Sequence, residues 1–178
     1  MPMQIKLTTN FNTAFTLIEL LAVITIMVIL ITAAIPGWKN FVQNNQAMTI
    51  ATKLSNSLRL AKATAIQSGQ TVTLCPVAQS SGTTCTNTTA WDAWVSFIDT
   101  SPPNGTFTTN TGENYYYDQP TGVITASSTG YISFNSAGFF IAAGKTFTIK
   151  PTGCTGNNGR IITIMPSGNI QTTFTACP

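Results

Sequence analysis

Phe15 to Ile35 reads FTLIELLAVITIMVILITAAI, an apolar run with a single charge, Glu19. About 20 consecutive apolar residues are enough to cross a bilayer as a helix. A carboxylate inside such a run costs roughly 2.5–3.5 kcal/mol on insertion scales, so a plain anchor gains nothing from Glu19. A secretory signal peptide would be cut after Thr32-x-Ala34 and release a soluble domain, but its apolar region would be long and acid-bearing. An uncleaved single-pass anchor fits the length and leaves the acid without a purpose. A third interpretation rests on the residues where the run begins.

Downstream, Pro36-Gly37 is expected to kink the helix without ending it. Apolar residues then recur at Ala47, Ile50, Ala51, Leu54, Leu58, Ala61 and Ala65, steps of three and four that mark one helical face. Gly69 supplies a stop. The first half of the helix is apolar all round, whereas the second has a single stripe and calls for a sheet to lie against. Beyond it, Val-, Ile-, Phe-, Tyr- and Thr-rich segments alternate with Gly, Pro, Asn and Ser. The expected strands are Thr71–Cys75, Ala93–Ile98, Gly122–Thr125, Tyr131–Asn135, Thr146–Lys150, Arg160–Met165 and Asn169–Thr175, with a hairpin turn at Pro166–Asn169 and a polar loop with a weak strand between Thr100 and Thr121. The fold class is α+β: a long N-terminal helix, membrane-spanning in its first half, packed on an antiparallel sheet. The expected division is 15–36 for the spanning helix, 37–69 for its amphipathic continuation and 70–178 for a β-rich head.

Composition narrows the function. The 178 residues include 8 Lys+Arg, 5 Asp+Glu, no His and 4 Cys, and only 7% are charged. Without histidine there is no Ser-His-Asp triad, imidazole proton shuttle or His metal ligand. An enzyme is not expected, and no cofactor is implied. From residue 70 onward, Lys145, Lys150 and Arg160 face Asp92, Asp99, Glu113 and Asp118, a net charge of −1. Lys39, Lys53, Arg59 and Lys62 stand before them with no acid among them. Lys6 and Lys39 flank the apolar run and leave its orientation undecided by charge. All four cysteines follow the run, which places that side in an oxidising compartment such as the periplasm. Cys75, Cys85, Cys154 and Cys177 allow three pairings, and spacing alone does not select one. No CxxC knuckle supports a zinc site. Trp91 and Trp94 are expected in the core, and Tyr115-Tyr116-Tyr117 as a strand with alternate rings packed.

Thr13-Ala14-Phe15-Thr16-Leu17-Ile18-Glu19-Leu20 resembles the class III signal of type IV pilins and pseudopilins. The resemblance implies a leader over 1–14, cleavage between Ala14 and Phe15 by a prepilin peptidase, and methylation of Phe15. Ala14 stands where that family usually has Gly. It also implies a purpose for Glu19, which would pair with the free amino terminus of Phe15 in a neighbouring subunit and set axial register. One half of a buried ion pair is costly to remove, which suits that role.

Three further segments are similar to the GspH/FimT family of minor pilins and pseudopilins. They are Leu58 to Pro76 (LRLAKATAIQSGQTVTLCP), Trp91 to Asp99 (WDAWVSFID) and Tyr131 to Gly138 (YISFNSAG). The Cys-Pro and Trp segments point to its FimT/FimU branch. The family's C-terminal bridge, together with the short loops, favours Cys75–Cys85 and Cys154–Cys177. The implied function is a minor subunit near the tip of a type IV pilus-type filament, held in the inner membrane before assembly and partnered by other pilins. A minor pseudopilin of type II secretion is the alternative. Some FimT proteins bind DNA through a Gly-Arg-x-Arg hairpin motif. Here the aligned residues are Gly168-Asn169-Ile170-Gln171, and Gly159-Arg160 keeps one arginine a strand earlier. Lys145, Lys150 and Arg160 are the contacts left for DNA, and the simpler expectation is that they are solvated strand-end charges.

Overall fold

Thr16 caps the first helix. Its hydroxyl accepts the Glu19 N–H at 3.3 Å and donates to Glu19 Oε2 at 3.4 Å, and its carbonyl accepts from the Leu20 N–H at 3.1 Å. One orphan donor of the helix start is thereby satisfied. The computed structural model describes residues 16–77, 84–99, 117–118, 122–142 and 144–177. Helix α1 spans Leu17–Ser68 and does not end at Pro36-Gly37, as expected. Gly69 follows it with φ 67°.

The chain forms two compact units, Met1–Lys39 and Asn40–Pro178. In the first, the side chains from Leu17 to Thr32 are exposed on every side of the helix, and the stretch is long and apolar enough to cross a membrane. The hydroxyls of Thr25 and Thr32 donate to the carbonyls of Ala22 and Ile29 at 2.8 and 2.9 Å. Their polarity is spent within the helix, as a hydrocarbon surrounding requires.

In the second unit the helical stripe is buried as its spacing predicts: Ala47, Ile50, Ala51, Leu54, Leu58, Ala61 and Ala65 are at most 3% exposed. The strands are β1 (Val72–Pro76), β2 (Ala93–Ile98), β3 (Tyr117–Asp118), β4 (Gly122–Ala126), β5 (Ile132–Phe134), β6 (Lys145–Pro151), β7 (Gly159–Ile164) and β8 (Ile170–Thr175). Tyr117 opens β3, while Tyr115 and Tyr116 lie outside the described residues.

Where the sequence calls for one sheet, the strands form two antiparallel ones, ordered β3-β2-β1-β5 and β4-β6-β7-β8. The reason is pairing: β4 joins β6, whereas the next strand, β5, joins β1. The segment before β2 ties the sheets, since the Trp91 N–H donates to the Ile124 carbonyl at 3.0 Å. One core spans both sheets and the helix, with Trp91, Trp94, Phe134, Phe147, Leu54 and Leu58 fully buried. Alternation sends Val72 and Leu74 of β1 into that core and Cys75 to the opposite face, where Val77, Ala93, Val95 and Phe97 make a second cluster.

Candidate functional site

Ala14 and Phe15 lie outside the described residues. Glu19 is exposed in the first turn of α1 and, among the described residues, is engaged only locally by Thr16. A carboxylate there faces the positive end of the helix dipole and remains available to a cation from outside the helix. Thr16 was not among the sequence candidates, although Thr16-Leu17-Ile18-Glu19 has the Thr-x-x-Glu spacing of a capping box.

Both disulfides pair sequence neighbours, Cys75–Cys85 and Cys154–Cys177, each with a Cα–Cα distance of 5.5 Å. The second staples the segment that helix α1 grips through Gln43. Gln43 is buried; its Nε2 donates to the Gly153 carbonyl at 2.5 Å, and its Oε1 accepts from the Thr155 N–H at 3.3 Å and the Thr155 hydroxyl at 3.1 Å. Gln43 sits four residues before Ala47 and so extends the buried stripe by one turn. That spacing is the signal by which a polar residue on an apolar face is recognised.

Of the three basic residues considered for nucleic acid, two are interior. Arg160 is 5% exposed. Its guanidinium donates to Asn44 Oδ1 and to the Gly159 carbonyl at 2.9 Å, and lies 3.9 Å from the centre of the Phe174 ring. Burial draws its pKa down. Lys145 is 4% exposed; its Nζ donates to the Gly130 carbonyl at 2.8 Å and sits 5.3 Å from the Trp91 ring centre. Neither charge is solvated at a strand end, and neither is presented outward to a phosphate. Only Lys150 is turned to the side of β6 that carries the half-buried Thr146 and Thr148.

Burial lowers the Lys145 pKa from 10.5 to about 8. Between those values the unfolded chain binds more protons than the folded one, so stability rises with pH through the window and carries the full penalty below it. Lys145→Met is expected to abolish that rise. Urea midpoints at pH 7.5 and 10 would show it, and an unchanged pH dependence would refute the assignment. Among the described residues, no three His, Cys, Asp or Glu side chains come together as a metal site.

An apolar helix capped by Thr16 and carrying Glu19 in its first turn, continued by a striped half that closes a disulfide-stapled β head, defines a pilin-type subunit. The family model for the type II transport protein GspH matches residues 51–168, and that for the prokaryotic N-terminal methylation motif matches residues 10–35. The chain belongs to the GspH family and is a minor pilin or pseudopilin. No curated protein sequence matches it. Two crystal structures of the type IV minor pilin FimU from Pseudomonas aeruginosa strain PAO1 share its fold. One aligns with TM-score 0.55 at 17% identity, covering 71% of this chain and 91% of FimU. The other aligns with TM-score 0.56 at 18% identity, covering 75% and 92%.

Proposed function

We propose that the chain is a minor subunit of a type IV pilus-type filament, located near the tip, that supports filament assembly and has no catalytic role of its own. In this account it is made as an inner-membrane precursor with its head in the periplasm. A prepilin peptidase cuts between Ala14 and Phe15, and the mature chain is drawn into the filament by packing its apolar helix against those of other pilins. The observation that carries the proposal is Glu19. It stands at the fifth position counted from Phe15, within the methylation motif, as the only charge in the exposed apolar stretch from Leu17 to Thr32. A charge in that setting is stabilised by a cation, and the amino terminus of a neighbouring subunit supplies one.

Glu19→Ala is expected to leave processing intact and to lower the amount recovered in sheared filaments by at least about tenfold, the loss of one member of a buried ion pair being costly. Equal recovery would refute the role given to Glu19. The second version of this function is a pseudopilus of type II secretion, in keeping with the description of the family. A deletion strain separates the two: loss of surface filaments supports the pilus, and loss of secreted proteins from the medium supports the pseudopilus. DNA reception has less support, because burial of Lys145 and Arg160 leaves Lys150 alone of the three contacts considered.

A further inference from the structure

The head treats the edges of its sheets unequally. The outer edge of β4 is covered by the segment before β2, through Trp91 N–H to Ile124 O at 3.0 Å and Ala126 N–H to Thr89 O at 2.8 Å. The outer edge of β5 is covered by the turn that follows it, through Ile141 N–H to Ser133 O at 2.9 Å and Asn135 N–H to Phe139 O at 3.0 Å. The edge strand β8 has no such cover among the described residues, and its side chains from Gln171 to Phe174 are exposed. Natural edges are usually blunted by charge, proline or a bulge. The strand IQTTFT has neither charge nor proline.

The ladder fixes which backbone groups face outward. The β7–β8 hairpin closes with Met165 N–H to Asn169 O at 2.9 Å, and the register then pairs Ile164 with Ile170, Ile162 with Thr172 and Arg160 with Phe174. Alternation makes these three the pairs that exchange no hydrogen bonds, so the N–H and C=O of Ile170, Thr172 and Phe174 point away from β7. At the Ile170 end, this edge adjoins a groove of about 340 Å³ lined by Arg59, Lys62, Ala63, Ile66, Asn169 and Ile170. The Lys62 ammonium is engaged by the Gly168 carbonyl at 3.0 Å. Arg59 is exposed and has no ion-pair partner among the described residues, and the chain has no acid between Glu19 and Asp92. At the other end Phe174 is 71% exposed.

We propose that the open edge of β8 is a strand-addition site for an extended segment of another protein, one that carries a carboxylate at the end lying over Arg59. Main-chain hydrogen bonds to Thr172 and Phe174 supply affinity in this mode, and the groove beside Ile170 with the Arg59 charge supplies selectivity. A second copy of this chain is the poorer occupant. Two β8 edges paired antiparallel would bring the Arg59 end of each to the Phe174 end of the other, and β8 contains no acid to meet it. The proposal concerns the head alone and stands whether or not the chain enters a filament.

The test uses the full-length chain in detergent micelles and a synthetic peptide of alternating Thr and Val with two Asp at one end. Amide hydrogen exchange at Thr172 and Phe174 is expected to slow by at least about tenfold at saturating peptide, as for a newly paired strand. Replacing the two Asp by Lys, or Arg59→Glu in the protein, is expected to weaken binding several-fold. Thr172→Pro removes an outward N–H that β7 does not use and is expected to abolish peptide binding while both disulfides form. If that variant fails to fold, the charge-swapped peptide and Arg59→Glu carry the test alone. No slowing, slowing indifferent to peptide charge, or slowing that follows protein concentration without peptide would each overturn the proposal. So would a DNA duplex that perturbs Arg59 and Lys62 and displaces the peptide more effectively than free acidic peptide does.

Discussion

Trp91→Ala is expected to destabilise the head by about 3–5 kcal/mol, the range for deleting a large buried aromatic. The side chain is fully buried, and its ring meets Phe147 edge-on at 4.8 Å and 75°. Its backbone donates to β4 while the chain continues two residues later into β2, so Trp91 sits where the two sheets are tied. Removing it opens a cavity that neither sheet can close alone. Trp91→Phe separates packing from polarity. The indole Nε1 has no hydrogen-bond partner among the described residues, so its loss removes a buried unpaired donor and the cost is expected to stay below about 2 kcal/mol. Urea midpoints at constant m-value measure both. A loss below about 1 kcal/mol for the alanine variant would show that the sheets are joined by other means.

Gly168→Ala is the second large effect, and it acts through the backbone. Gly168 has φ 71°, and a Cβ built there would lie 2.1 Å from the Gly138 carbonyl oxygen and 3.1 Å from Lys62 Nζ. The left-handed conformation costs an L-residue roughly 1–2 kcal/mol, and the overlap with fixed backbone adds about 1–3 kcal/mol. Gly153→Ala is the control: φ is 68°, with nothing within 4 Å of the added Cβ, so only the conformational cost of roughly 1–2 kcal/mol is expected. Equal losses at the two positions would mean that the contact between the β7–β8 turn and the Gly138 turn yields freely.

Much of this was legible in the sequence. The stripe from Ala47 to Ala65 is periodic and long, and the strands are short β-rich runs between turn residues, so seven of the eight were located to within a residue or two. The division into two sheets was not legible, because it depends on β4 choosing β6 over β5, a non-local pairing that no local pattern encodes. The basic residues were misplaced for a different reason. Lys145 shares strand parity with Phe147 and Ile149, and Arg160 with Ile162 and Ile164. Period-two alternation therefore assigns both to the buried face, despite the charge. Partners in the chain make that tolerable: carbonyls and an aromatic face for Lys145, Asn44 and Phe174 for Arg160. Gln43 follows the same logic on the helix.

The central claim is that the apolar helix belongs to a processed subunit that is assembled through Glu19, and is not a signal that is discarded. The intact mass and amino-terminal sequence of the protein extracted from membranes test it most directly. The account predicts a chain beginning at an N-methylated Phe15. A chain beginning at Ile35 would contradict it, since Glu19 and the whole exposed apolar face of α1 would then be absent from the mature protein.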